Sequence, residues 1–262
     1  MLDVIKHHWP EYLIEAWCLG TFMVSACVFG VVLFNPNLPL SSWNFMLRNV
    51  LMGTAMGTTA VAIIRSRLGR RSGAHFNPAV TLTFLRLGKI NARDAVWYIA
   101  FQFIGGVVGV FISYLVLGGL LADSAVNFVV TVPGSYGQGV AFIAEIVISF
   151  LMMTMILFTS NSIRFARFTP IFAGCLVALY ITFESPISGM SMNPARTFAS
   201  AAVAGQWMNL WIYFLAPPIA MLAAAEFYVR TRGLQRVLCA KLDHAAHRDA
   251  FSIANFQWSN HD

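Results

Sequence analysis

Six main apolar runs divide the chain, at residues 9–34, 43–64, 95–117, 139–159, 171–183 and 208–229. Each reads as a membrane-crossing helix, for which about 20 residues suffice. Between them lie two shorter apolar stretches, 76–87 and 190–203, of about 12 residues each, too short to cross a bilayer alone. The first run begins where a signal peptide would. It is too long for an h-region, contains Glu15 and lacks a small-x-small cleavage site, so it is expected to be a retained span.

Composition sharpens this pattern. Of 262 residues, 58% are hydrophobic and 11% charged, against about 25% charged in soluble domains. A soluble fold of this size cannot hide so much apolar surface, which excludes a soluble enzyme, a disordered chain and a fibrous protein. The net charge of +6 would suit nucleic acid, but the placement of the 17 Lys and Arg points elsewhere. Lys6, Arg65, Arg67, Arg70, Arg71, Arg86, Lys89, Arg93, Arg164, Arg167, Arg230, Arg232, Arg236, Lys241 and Arg248 all fall on one side of a six-span topology. Only Arg48 and Arg196 fall elsewhere, and residues 118–138 carry no Lys or Arg. The positive-inside rule then places both termini in the cytoplasm and explains the basic charge without nucleic acid. Cys18, Cys27, Cys175 and Cys239 show no metal-binding spacing and read as small packed residues.

The two short stretches are copies of one another. Residues 72–81, SGAHFNPAVT, match residues 188–197, SGMSMNPART, at six of ten positions. Each follows the second span of a three-span group, and each group carries a glutamate in its first span, Glu15 and Glu145. Three is odd, so the second half must lie upside down relative to the first. Inverted repeats with broken helices place a functional site near the midplane. The reading is a first repeat at 9–118, a loop at 119–137, a second repeat at 138–229, and polar ends at 1–8 and 230–262.

Asn-Pro-Ala suits such a place. Proline favours the first helical turn, where its missing N–H has no partner to lose, and asparagine before it is a good N-cap. Asn77-Pro78-Ala79 and Asn193-Pro194-Ala195 are thus expected to open half-helices near 77–87 and 194–203. Non-helical backbone at this depth is tolerated only where it is buried or lines a polar cavity. Two half-helices starting at the midplane aim their positive ends at one spot. That arrangement repels cations while the asparagine amides offer hydrogen bonds to neutral molecules.

These motifs, with Glu15, Glu145 and six spans in two halves, resemble the major intrinsic protein family, the aquaporins and aquaglyceroporins, over about residues 9–230. The resemblance implies an all-α membrane protein of six transmembrane helices plus two re-entrant half-helices in two inverted repeats. It implies one pore per subunit, a homotetramer in a plasma (inner) membrane, and passive flow of water or small uncharged solutes with no cofactor. It also implies a four-residue constriction, which falls here on Met56, Ile181, Met190 and Arg196, with Gly57 as the alternative to Met56. Water-selective relatives place an aromatic and a histidine at the first two positions, and this chain has neither. Glycerol-type relatives follow the arginine with aspartate, where this chain has Thr197, and Tyr213-Phe214 looks like the water type.

A charge inside a span is expensive and usually functional. Glu15 and Glu145 can be read as proton relays, but the resemblance gives them a role bracing the two loops. His75 is either a pH-sensing gate or a loop brace. Arg65, Arg67, Arg70 and Arg71 read as topology signals and headgroup contacts. His244 and His247 beside Asp243 and Asp249 form only a weak metal pattern. Phe251, Phe256 and Trp258 suit either the membrane surface or the underside of the bundle. The reading is therefore a channel for water together with glycerol-like solutes; a strictly water-selective channel or a coupled secondary transporter are the alternatives. A transporter would need a coupling site, for which only Glu15 and Glu145 are available, and no sequence motif of an enzyme is present.

Overall fold

The computed structural model describes residues 2–243. His244, His247 and Asp249, together with Phe251, Phe256 and Trp258, lie outside the described residues. Eight helices carry the architecture: α1 (Leu2–Phe34), α2 (Phe45–Arg65), α3 (Pro78–Arg86), α4 (Ala92–Leu117), α5 (Gly137–Ser160), α6 (Thr169–Phe183), α7 (Pro194–Ala204) and α8 (Leu210–Arg232). Among the described residues there is no strand. Six of these helices are long and apolar enough to cross a membrane, while α3 and α7, of 9 and 11 residues, are not. Large apolar side chains such as Leu115, Val116, Ile143 and Leu151 face outward, as a bundle solvated by lipid requires.

Helix boundaries follow from capping. Asn44 Oδ1 accepts from the Met46 N–H at 2.8 Å and Asn91 Oδ1 from the Arg93 N–H at 3.0 Å, opening α2 and α4. At α3 and α7 proline occupies the first turn, and the preceding asparagine, in extended backbone, caps it.

In lipid there is no hydrophobic drive to press helices together, so close backbone approach and packing must do it. Helices α1 and α4 meet through glycines: a Cβ on Gly105 would sit 2.1 Å from the Ala16 carbonyl oxygen. Helices α2 and α6 meet in the same way, with a Cβ on Gly57 2.4 Å from the Gly174 oxygen. The partner in each case is backbone and cannot swing aside. Gly105→Leu is therefore expected to force α1 and α4 apart, at a cost of about 1–3 kcal/mol or more. Gel filtration in detergent should show loss of the monodisperse peak; an unchanged peak and melting temperature would contradict this packing.

The pairings reproduce the inverted repeat. In the first half α1 packs on α4, in the second α5 packs on α8, and α2 packs on α6 across the two halves. Half-helix α3 rests on α8 of the other half, and α7 rests on α4. Each half is thus incomplete without the other.

After α8 the chain turns at Gly233 (φ 88°) and runs on through residue 243 beneath the loop that precedes α3. Val237, Leu242 and Asp243 are buried there. The Leu238 N–H donates to Asn161 Oδ1 at 2.8 Å, and the Leu242 N–H donates to the Gly73 oxygen at 3.2 Å. Arg70 Nε donates to Asp243 Oδ2 at 2.9 Å.

Candidate functional site

The two loops before α3 and α7 are wound alike. Gly73, Ala74 and Phe76 have positive φ (104°, 53° and 31°), and so do Gly189, Met190 and Met192 (82°, 48° and 54°). Non-glycine residues in the left-handed region cost about 1–3 kcal/mol each, so something must hold them there. The holding groups are Glu15 and Glu145, both fully buried. Glu15 Oε1 accepts from Ser72 Oγ (2.7 Å) and the His75 N–H (3.1 Å), and its Oε2 accepts from the Phe76 N–H (2.6 Å). Glu145 Oε1 accepts from Ser188 Oγ (2.8 Å) and the Ser191 N–H (2.7 Å), and its Oε2 accepts from the Met192 N–H (2.7 Å). Tyr98 and Tyr213 complete the correspondence, donating their hydroxyls to the oxygens of Ser72 and Ser188. Gln102 Nε2, which donates to Glu15 Oε2 at 2.8 Å, belongs to the first half alone, since Pro217 stands at the equivalent place in α8. Both carboxylates have their oxygens committed to loop donors.

His75 is buried in the first loop. Its Nε2 donates to the Ala240 oxygen at 3.0 Å, and its Nδ1 lies 3.1 Å from Thr81 Oγ1. Ser191 takes the matching position in the second loop, bonded to Thr197.

The asparagines join the halves at the centre. Asn77 Oδ1 accepts from the Ala79 N–H (2.9 Å), and Asn77 Nδ2 donates to the Met192 oxygen (2.7 Å). Asn193 Oδ1 accepts from the Ala195 and Arg196 N–H groups (3.1 and 3.2 Å), and its Nδ2 donates to the Phe76 oxygen (2.8 Å). Each amide nitrogen therefore spends one hydrogen on the opposite loop and keeps one. Pro78, Ala79, Pro194 and Ala195 form the buried first turns behind them.

Asn77, Asn193, Met56, Ile181, Met190 and Arg196 all line one cavity of about 210 Å³ that runs between the spans. Gly57 is packed against α6 and is not part of that wall. The wall residues not singled out from sequence include Asn49 and Met52 on α2, and Leu242. The depth of the α2 residues follows from the α2–α6 register. A Cβ on Gly53 would lie 2.4 Å from the Ala178 oxygen and 2.9 Å from Thr182 Oγ1, while Gly57 faces Gly174. The backbone at Ile181 is thus level with that at Met52, and because side chains lean toward the N-terminus of their own helix, those of Met56 and Ile181 lean toward one another across these antiparallel helices; Asn49 lies nearer the start of α2. The amide nitrogen of Asn49 and Nη1 of Arg196 are buried with no protein partner, a cost that solvent or solute in the cavity would offset. Just beyond α6, burial pushes the Glu184 carboxyl up to about 8, so below that pH this end of the bundle gains no negative charge from it. Among the described residues no group of three metal-ligating side chains occurs.

Comparison with known proteins agrees with this architecture. A sequence profile of the family Major intrinsic protein matches residues 6–228. The chain is 34% identical over 231 residues to "Glycerol uptake facilitator protein-like 6" of Lactiplantibacillus plantarum, covering 85% of this chain and 98% of that one. It is 33% identical over 213 residues to "Aquaporin-4" of Bos taurus, covering 78% of this chain; the match spans 62% of that protein's length. Among solved structures, the aquaglyceroporin of Plasmodium falciparum superposes with a TM-score of 0.70 at 16% identity, covering 84% of this chain and 95% of that one, a likeness of fold.

Proposed function

The chain belongs to the major intrinsic protein family, a family of membrane channels and not of enzymes, and on that premise we propose that it conducts water together with small uncharged solutes of the glycerol type passively across a membrane. One observation carries the reading: two half-helix N-termini, each capped by an asparagine with one amide hydrogen to spare, meet on a single cavity. A water molecule there accepts from both amides. Its oxygen points at two helix ends that each carry roughly half a positive charge, and its own hydrogens point away. A hydrogen-bonded file oriented outward from its middle cannot hand a proton through, and a cation meets repulsion at the same place. Arg196 adds a fixed charge further along the wall.

Met56 is read as the α2 wall of the constriction, its side chain leaning toward the start of α2 and so toward Ile181, with Met190 and Arg196 as the other walls. Three walls are then apolar and one is polar. Water passing such walls leaves hydrogen bonds unmade. A polyol can lay its carbons on methionine and isoleucine and turn its hydroxyls toward Arg196 and Asn49. Both termini are read as cytoplasmic, from the basic side chains gathered at one end of the bundle. The membrane is read as a plasma (inner) membrane and the working unit as a homotetramer, both on the family likeness.

Stopped-flow swelling and shrinking of proteoliposomes, comparing water, glycerol and urea, tests the reading. Flux should be linear in gradient and indifferent to membrane potential; saturable flux driven by protons or sodium would sink it. Ile181→His combined with Met56→Phe is expected to narrow the gap and add polar contacts, moving the glycerol-to-water ratio down by about tenfold, or about 1.4 kcal/mol of relative barrier. Complete exclusion of glycerol by the native protein would instead favour strict water selectivity.

A further inference from the structure

We propose that residues 233–243 are an autoinhibitory lid over the end of the pore lined by Ile64 and His75, with Leu242 as its plug and the Arg70–Asp243 ion pair as its latch. The inference rests on the channel reading above and adds a closed and an open state to it. Leu242 belongs to the cavity wall together with Ile64 and His75, and comes from a segment that is part of no span or half-helix. Three contacts draw that segment onto the first loop: Leu242 N–H to the Gly73 oxygen, His75 Nε2 to the Ala240 oxygen, and Arg70 to Asp243. The loop is shaped to receive it, since a Cβ on Gly73 would lie 2.4 Å from the Ala240 oxygen.

The other half of the molecule supplies an internal comparison. Its loop is also covered by an extended segment: a Cβ on Gly189 would lie 2.7 Å from the Val132 oxygen, and the Gly134 N–H donates to the Ile187 oxygen at 2.9 Å. That segment puts no side chain on the cavity wall, whereas the terminal segment puts Leu242 there. Covering a loop thus does not require entering the pore. The terminal segment also differs in how it is tethered. It leaves α8 at Gly233, whose φ of 88° falls where glycine is favoured, and its latch arginine is partly exposed. Swinging about Gly233 would free the pore end without disturbing Glu15 or either asparagine.

Two readouts test the lid on the full chain in proteoliposomes: hydrogen exchange of residues 234–243 for docking, and osmotic water permeability per incorporated protein for closure. The native segment should be protected. Asp243→Arg should unprotect it, and because flux scales with the open fraction, raise water permeability by about threefold or more. The charge swap Arg70→Asp with Asp243→Arg should restore both protection and low permeability, which mere loss of packing would not allow. Leu242→Ala should raise permeability with the latch intact. An unprotected native segment overturns the proposal, and so does undocking that leaves permeability unchanged. Undocking by exchange with no flux in any protein, native included, would instead bring down the channel reading, and the lid with it.

Discussion

Glu145→Ala is expected to leave almost no assembled protein. The carboxylate is fully buried and takes three donors, the Ser188 hydroxyl and the N–H groups of Ser191 and Met192. Alanine orphans all three, at about 1–3 kcal/mol each, against a net stability of about 5–15 kcal/mol for a whole protein. It also removes what holds Met190 and Met192 at positive φ. Glutamine keeps one acceptor oxygen but turns an NH₂ toward a backbone donor, so Glu145→Gln should fall between the two. The measurement is the yield of monodisperse protein in detergent and its melting temperature. A normal yield of Glu145→Ala melting within a degree or two of the native protein would show that the loop holds itself.

Arg196→Val should produce the largest change in what crosses. The guanidinium lies on the cavity wall at the first turn of α7, and its Nη1 has no protein partner. Its backbone N–H, which caps on Asn193 at 3.2 Å, survives the substitution, so the fold should too. Removing it widens the proposed constriction and deletes a charge from the cavity wall. The hydrogen bonds it lends a passing polyol, about 1.5–3 kcal/mol for a charged group, are lost, so the gain is expected in solutes too wide for the native gap, and the native solute ratio should not survive. Proton leak should appear in liposomes loaded with a pH-sensitive dye under a pH gradient. A well-folded variant with the native solute ratio and no leak would remove Arg196 from the selective part of the pore.

Much of the fold was legible because membranes leave few options. A chain with 11% charged residues and six apolar runs has to be a helical bundle. The duplicated SGxxxNPAxT pattern, with an odd number of spans per copy, made the inversion a matter of counting. Glu15 and Glu145 stood out because a carboxylate in a span must find donors, and the Ser-Gly loops were the nearest supply. A short helix, Arg67–Ser72, stands between α2 and the first loop, so the count back from Asn77 left Met56 and Gly57 both open; the cavity wall holds Met56 and not Gly57. Asn49 escaped notice because a lone asparagine near the start of a span reads as a surface residue. Leu242 escaped because residues 233–243 have no periodicity to read and are held by bonds to Asn161, Gly73, His75 and Arg70, far away in sequence. His75 shows the same limit: its ring nitrogens face Thr81 on one side and Ala240 on the other, and only the first partner is local.

The crossed bonds of Asn77 to the Met192 oxygen and Asn193 to the Phe76 oxygen bear on how the chain is made. The first loop takes its Glu15 bonds from within the first half, whereas the Asn77 amide and the Phe76 carbonyl take partners from the half synthesised later. Half-helix α3 likewise waits for α8, the last span to emerge. Insertion can therefore proceed span by span, but the pore centre closes only after translation of the final helix. The two halves, produced as separate polypeptides in one cell, carry complementary sticky centres and should find each other in the bilayer and pass solute as a reassembled pair.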